Sequence, residues 1–295
     1  PPPPPPFFFL MIRRPPRATL DRSAAESDVY KRQRKYQDYF FILSSWYTLR
    51  PLRNELAVQD IDNISLLLAM VGIGMLFANL IYSWIASRTN LKQLIVFCYL
   101  FLASNLVIFI NLDFSSSEWV GRSFYVWCNI YSFFVVAIFW VVSINLFREN
   151  KARQYFGFIS FGGTLGAAFG SRLSKYIANN FSILSIDGGP AEINISIFAF
   201  FTLGLLIVGL LIGLYCISRL KSEKIALGGS AQDAFKHLFN SADVRQLAFY
   251  MFLFTSLMTI HWITSAIIFE KAIENSVERV SLFADIELTL SLIHI

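Results

Sequence analysis

ISLLLAMVGIGMLFANLIYSWIA, residues 64–86, runs for 23 residues without a charge. A bilayer core needs roughly 20 consecutive apolar residues per helix, and this block supplies them. The same texture recurs along the chain. Spans are predicted at about 37–56, 64–86, 91–112, 121–146, 153–180, 193–218 and 244–269, and an eighth begins near residue 280. The blocks are too long for barrel strands and do not alternate polar with apolar residues, so helices fit and strands do not. Mean hydropathy of +0.53 and an apolar content of 55% agree with a membrane class.

Charge in the connections sets the expected orientation. The connection after the second span carries Arg88 and Lys92. That after the fourth carries Arg148, Lys151 and Arg153. That after the sixth carries Arg219, Lys221, Lys224, Lys236 and Arg245. The alternate connections are acidic, with Asp60 and Asp62, then Asp113 and Glu118, then Asp187 and Glu192. The even-numbered connections and the N-terminus are therefore expected on the cytoplasmic side.

The two ends read differently. DVYKRQ, residues 28–33, can be encoded by a DNA string whose reverse complement translates as LSLIHI, residues 290–295. Such an inverted repeat resembles the mosaic end of a transposase-based sequencing library. Residues 1–33 and 290–295 are accordingly set aside as adapter translation, with 1–33 expected to be disordered. Residues 1–33 hold six basic and three acidic side chains, so most of the formal charge of +5 lies there. The remainder gives no reason to expect a nucleic-acid partner. The expected organisation is a six-helix transmembrane half at 34–218, a cytoplasmic linker at 219–243, and the start of a second half at 244–289. Six spans, a long linker and new spans are the layout of major facilitator transporters. The piece is expected to be internal to a longer chain and not to transport alone.

Several residues could carry chemistry. Arg50 and Arg53 fall at the outer end of the first span, in YTLRPLRNELAVQ (47–59). Charge at membrane depth faces a cavity, a partner or the interface, and guanidinium suits carboxylate or phosphate. Two alternatives stay open for this pair: an anion site, or snorkelling to headgroups with Glu55 as partner. Pro51 is expected to break the helix nearby. In the fifth span, Gly162, Gly166 and Gly170 recur every four residues with Gly163 beside them, a stripe for close helix packing or a hinge. Arg172 and Lys175 follow on one face. Arg122 marks the mouth of the fourth span, Trp127 and Asn129 lie deeper, and His261 sits in the seventh. Trp127 could stack on a ligand base, Asn129 could bond another helix, and His261 could touch a ligand or proton. Together Arg50, Arg53, Arg122, Arg172 and Lys175 would form a positive outer funnel for anions, offset within the spans by Glu55.

No Walker loop, metal-ligand cluster or nucleophile beside a base is present in the sequence. No enzyme, cofactor or metal is expected. Cys98, Cys128 and Cys216 fall within spans as packing residues.

RPLRNELAVQ, GRSFYVWCNIYSFFVVAIFW and FGFISFGGTLGAAFGS resemble the bacterial and plastid nucleotide carriers, the ATP:ADP antiporter or NTP/NDP exchange family related to the major facilitator fold. The resemblance covers nearly all of residues 37–289. It implies alternating-access exchange of nucleotides or similar phosphorylated anions across the inner membrane, by a monomer. The matching positions are Arg50, Pro51, Arg53, Glu55, Arg122, Trp127, Gly157, Gly162, Gly163 and Gly166. Relatives often carry an acidic residue late in the fourth span, where this chain has Asn145. The alternatives are a major facilitator transporter of another solute and a non-transporting polytopic membrane protein.

Overall fold

The computed structural model describes the backbone of residues 19–114, 117–146, 149–183, 192–218 and 239–293. Side chains at 19–38, 91, 139–140, 142–159 and 216–218 are not described. Among the described residues the chain is all-helical, apart from one isolated bridge between Ile183 and Glu192. The helices are α1 (Thr19–Gln59), α2 (Ile64–Ala86), α3 (Leu91–Ile110), α4 (Glu118–Leu146), α5 (Glu149–Asn180), α6 (Ile195–Ser218), α7 (Ala242–Ala272) and α8 (Ser276–Ile293). A short 3-10 turn, Ile61–Asn63, joins α1 to α2. Most of the linker at 219–243, and the side chains of Asn145 and Cys216, lie outside the described residues, as does the surroundings of Gly157.

Among the described residues, four stretches are long and apolar enough to cross a membrane: Ile61–Ala86, Lys92–Ile110, Ile195–Tyr215 and Ala242–Ala272. Their faces carry large exposed apolar side chains, such as Ile73, Leu76, Phe77 and Trp84 on α2, as lipid contact requires. The charged helices α1, α5 and α8 sit differently. α1 packs against α4, α5, α6 and α8, and its middle is buried almost throughout. Ile42, Leu49 and Leu52 are fully buried in the main core with Phe124, Tyr131 and Phe198.

The glycine stripe explains how α5 approaches α1. A methyl group built on Gly166 would run into the Phe40 carbonyl, and one on Gly170 into the Ser44 carbonyl. One on Gly163 would strike the Tyr39 ring. With only hydrogen there, the backbones come close enough for Ser44 Oγ to donate to the Gly166 carbonyl at 3.1 Å. Small residues and interhelical hydroxyl bonds are how helices associate where lipid offers no hydrophobic drive. Gly162 is buried as well.

One expectation needs correction. Pro51 does not break α1, which is continuous through it. Proline removes one donor to the carbonyl four residues back. The buried packing on both sides of Pro51 holds the helix across that gap.

Candidate functional site

Arg50 and Arg53 sit one turn apart on α1 and meet opposite surroundings. Arg50 lines a cavity of about 420 Å³ between α1, α5 and α8, with Tyr39, Tyr47, Thr164 and Glu287. Its Nε lies 2.9 Å from Glu287 Oε1, and its guanidinium also donates to Tyr47 Oη at 3.1 Å. Leu290 and Ser291, two of the residues set aside as adapter translation, complete that wall.

Arg53 lines a separate cavity of about 290 Å³ between α1, α2, α4 and α7, near the lower bound for ligand pockets. Tyr125, Asn129, Thr255, Thr259 and Trp262 share it. Arg53 donates to Asn54 Oδ1 at 2.8 Å and to Asn129 Oδ1 at 3.3 Å, and its guanidinium lies 5.3 Å from the Trp46 ring centroid. Its Nε is buried without a partner. Among the described residues it makes no ion pair. Amides and an indole orient the guanidinium, and the Glu287 carboxylate that bonds Arg50 also acts on it electrostatically.

Around Arg50 the pairing is systematic. Arg279 of α8 grips Glu55 with two bonds, Nε to Oε2 at 2.8 Å and Nη2 to Oε1 at 2.6 Å. The Glu55 side chain is fully buried. The remaining Arg279 donors reach the Ile273 and Glu274 carbonyls. Lys175 of α5 bonds Asp285 at 2.5 Å. Three ion pairs thus tie α8 to α1 and α5.

Arg122 is also paired. It bonds Asp60 at 2.6 and 3.1 Å and Glu118 at 3.0 Å, beneath Trp119. The hydrogen bonds from Arg122 hold the Asp60 carboxyl below the ordinary aspartate range. The outer basic residues have more partners than the Glu55 expected to offset them: Asp60, Asp285 and Glu287 pair with Arg122, Lys175 and Arg50. Glu55 serves Arg279 and not the two arginines of α1.

The other candidates are dispersed. Trp127 is packed among Phe109, Phe124 and Tyr131, with ring centroids 5.4, 5.8 and 5.0 Å away. Its ring lies in this aromatic cluster and does not line the Arg53 cavity. Trp127 is two residues from Asn129, about 200° around a helix, and so cannot share the Arg53 cavity. Arg172 and His261 are exposed and line neither cavity.

The sequence reading missed most of the cavity wall. Tyr125 is four residues before Asn129, the spacing of one helix face. Thr255, Thr259 and Trp262 on α7 are spaced by four and three, a polar stripe readable from the sequence alone. Asp285 and Glu287 had a weaker signal, two carboxylates in an otherwise apolar stretch of α8.

No protein-family model, curated protein or solved structure matches the chain.

Proposed function

We propose that the chain is a membrane transporter that exchanges nucleotides or related phosphorylated anions by alternating access. In this reading α1–α6 form one half of a major facilitator-like bundle and α7–α8 belong to the other. The N-terminus lies on the cytoplasmic side of a bacterial inner membrane. The observation that carries the reading is Arg53. Its charge borders a cavity inside an apolar bundle and bonds only neutral groups, with Glu287 acting on it from its bond to Arg50, while Arg50, Arg122, Lys175 and Arg279 each hold a carboxylate. A guanidinium left in that state favours an anion that brings its own charge and accepts in the plane of the fork.

The rest of the wall suits such a solute. Thr255 and Thr259 border the cavity with hydroxyls that donate to carbonyls of their own helix, and Tyr125 and Trp262 offer aromatic surface for the uncharged part. The cavity lies between α1, α2 and α4 of one half and α7 of the other, the position expected of a site at a repeat interface. The ion pairs from α8 to α1 and α5 cross the same boundary and can break and re-form as the halves rock.

The test is counter-exchange of labelled ATP and ADP in cells expressing the full-length gene. Saturable ATP entry accelerated by preloaded ADP is expected. Absence of exchange, with the protein shown to be in the membrane, would remove nucleotides as the substrate.

A further inference from the structure

A second feature lies on the far side of α4 from the Arg53 cavity. α2 leans on α4 while α3 packs on α6, and the two helices barely meet. The splay leaves an apolar groove of about 310 Å³ between them, lined by Phe77, Ile81 and Ile85 of α2 and Phe97 and Phe101 of α3, with Trp127 in its wall. Phe77, Ile81, Phe97 and Phe101 are more than half exposed, so the groove opens to the surface of the bundle.

One end of the groove is basic. Ile85 lies three residues before Arg88, which sits in the turn that follows α2. Lys92 begins α3 five residues before Phe97. Both cations are exposed and make no ion pair among the described residues. Residues 63–112 contain no aspartate or glutamate, so nothing nearby in the sequence offsets them. The Arg88 guanidinium rests 4.2 Å from the centroid of the exposed Trp84 ring, an interfacial aromatic that holds it at the groove's mouth. The Asn90–Gln93 capping box fixes the start of α3, whose first backbone N–H groups have no acceptor within the helix. Those donors add positive potential at the same point.

We infer that this groove is a binding site for one anionic phospholipid. An acyl chain lies between α2 and α3, and the phosphate rests between Arg88, Lys92 and the N-terminus of α3. The complementarity is two-part: an apolar channel along residues 74–85 of α2 and 97–102 of α3, and unpaired cations only where a headgroup would sit. A zwitterionic lipid fills the channel equally well but brings its own cation to the mouth, so it binds more weakly. The site is independent of the transported solute, because it faces lipid and shares no residue with the Arg53 cavity.

Native mass spectrometry of the purified full-length protein tests this, with phosphatidylglycerol, phosphatidylcholine of the same chains and soluble glycerol 3-phosphate as probes. One phosphatidylglycerol is expected to bind at least about tenfold more tightly than phosphatidylcholine. The exposed double variant R88Q/K92Q is expected to lose about thirty-fold in phosphatidylglycerol affinity, the factor set by about 1 kcal/mol per basic residue near a membrane surface. Ala78→Phe, which fills the groove, is expected to weaken both lipids. Equal binding of the two lipids, or no effect of R88Q/K92Q, would overturn the inference. Competition by glycerol 3-phosphate at concentrations equal to the lipid would also overturn it, by showing a phosphate site that needs no chain.

Discussion

Arg50 and Arg53 share a helix, a residue type and nearly the same depth, yet one is spent on structure and the other is left unpaired. On the Arg50 side, α1 faces α5 and α8, and Glu287, Arg279 and Asp285 complete ion pairs between helices. On the Arg53 side, α1 faces α2, α4 and α7, where the guanidinium bonds amides and borders hydroxyls and rings, with Glu287 acting on it from the Arg50 side. Three residues leave two side chains about 60° apart round a helix, so the pair straddles the seam between two neighbour sets. A charged residue's role is decided by what the tertiary structure places opposite it. An unpaired charge beside a cavity is the stronger sign of a ligand.

The sharpest way to break this contrast is to disturb the paired side. Glu55→Ala leaves the Arg279 guanidinium buried without its carboxylate, and a loss of about 3–5 kcal/mol is expected. Thermal unfolding in detergent measures it. The charge-swapped double variant E55R/R279E should recover part of that loss, because the pair is restored in reverse. A loss under about 1 kcal/mol for Glu55→Ala would mean that α8 is not held through this pair.

Next comes the packing that brings α5 to the same side. Gly166→Ala places a methyl group against the Phe40 carbonyl, with an expected cost of about 1–3 kcal/mol in the same unfolding assay. Alanine at Gly72, which has open space around it, is the control and should be nearly neutral or slightly stabilising. Equal effects at the two positions would remove the close approach as an explanation.

Smaller still is Lys175→Met. Both partners of the Lys175–Asp285 pair are partly exposed, at 31% and 46% of the side chain, so solvent screens the pair. A change below about 1 kcal/mol is expected. A larger value would make this pair an equal of Glu55–Arg279.

The Asp60–Arg122 contact gives a pH-dependent version of the comparison. The Asp60 carboxyl titrates below its ordinary range because Arg122 bonds its charged form. Its contribution is therefore complete above the ordinary aspartate range, about pH 4, and is lost as pH falls through the lowered folded value. Unfolding temperatures of the native protein and Asp60→Asn should differ at neutral pH and converge as pH falls through that window. Curves that stay parallel would mean that the contact adds no pH-dependent stability.

Much of the fold was legible in the sequence, and the reasons are local. The uncharged run of residues 64–86 coincides with α2, because length and apolarity suffice to define it. The ends of α4, α5 and α6 fall within a few residues of their predicted positions, since polar connections bound them. The stripe of Gly162, Gly166 and Gly170 announced a close contact but not its partner; α1 was identified only by the fold.

The site was less legible. Arg53 and Asn129 were both singled out and do meet, at 3.3 Å. Trp127 was grouped with Asn129 although helical periodicity puts them on nearly opposite faces. The partners of Arg50 and Lys175 lie in α8, and Glu55 and Arg279 are 224 residues apart. No spacing rule reaches across that distance. Which face of α1 meets α8 is set by how whole helices pack.

The most direct measurement is equilibrium binding of labelled ATP to the purified full-length protein, comparing Arg53→Gln with the double variant R50Q/E287Q. The first removes the unpaired charge; the second removes a paired charge and its partner together. Arg53→Gln is expected to weaken binding by about 10- to 100-fold, the loss for one charged hydrogen-bonding group, while R50Q/E287Q stays close to the native affinity. Native-like binding by Arg53→Gln, with the loss falling on R50Q/E287Q, would contradict the assignment and move the anion site to the α1–α5–α8 cavity.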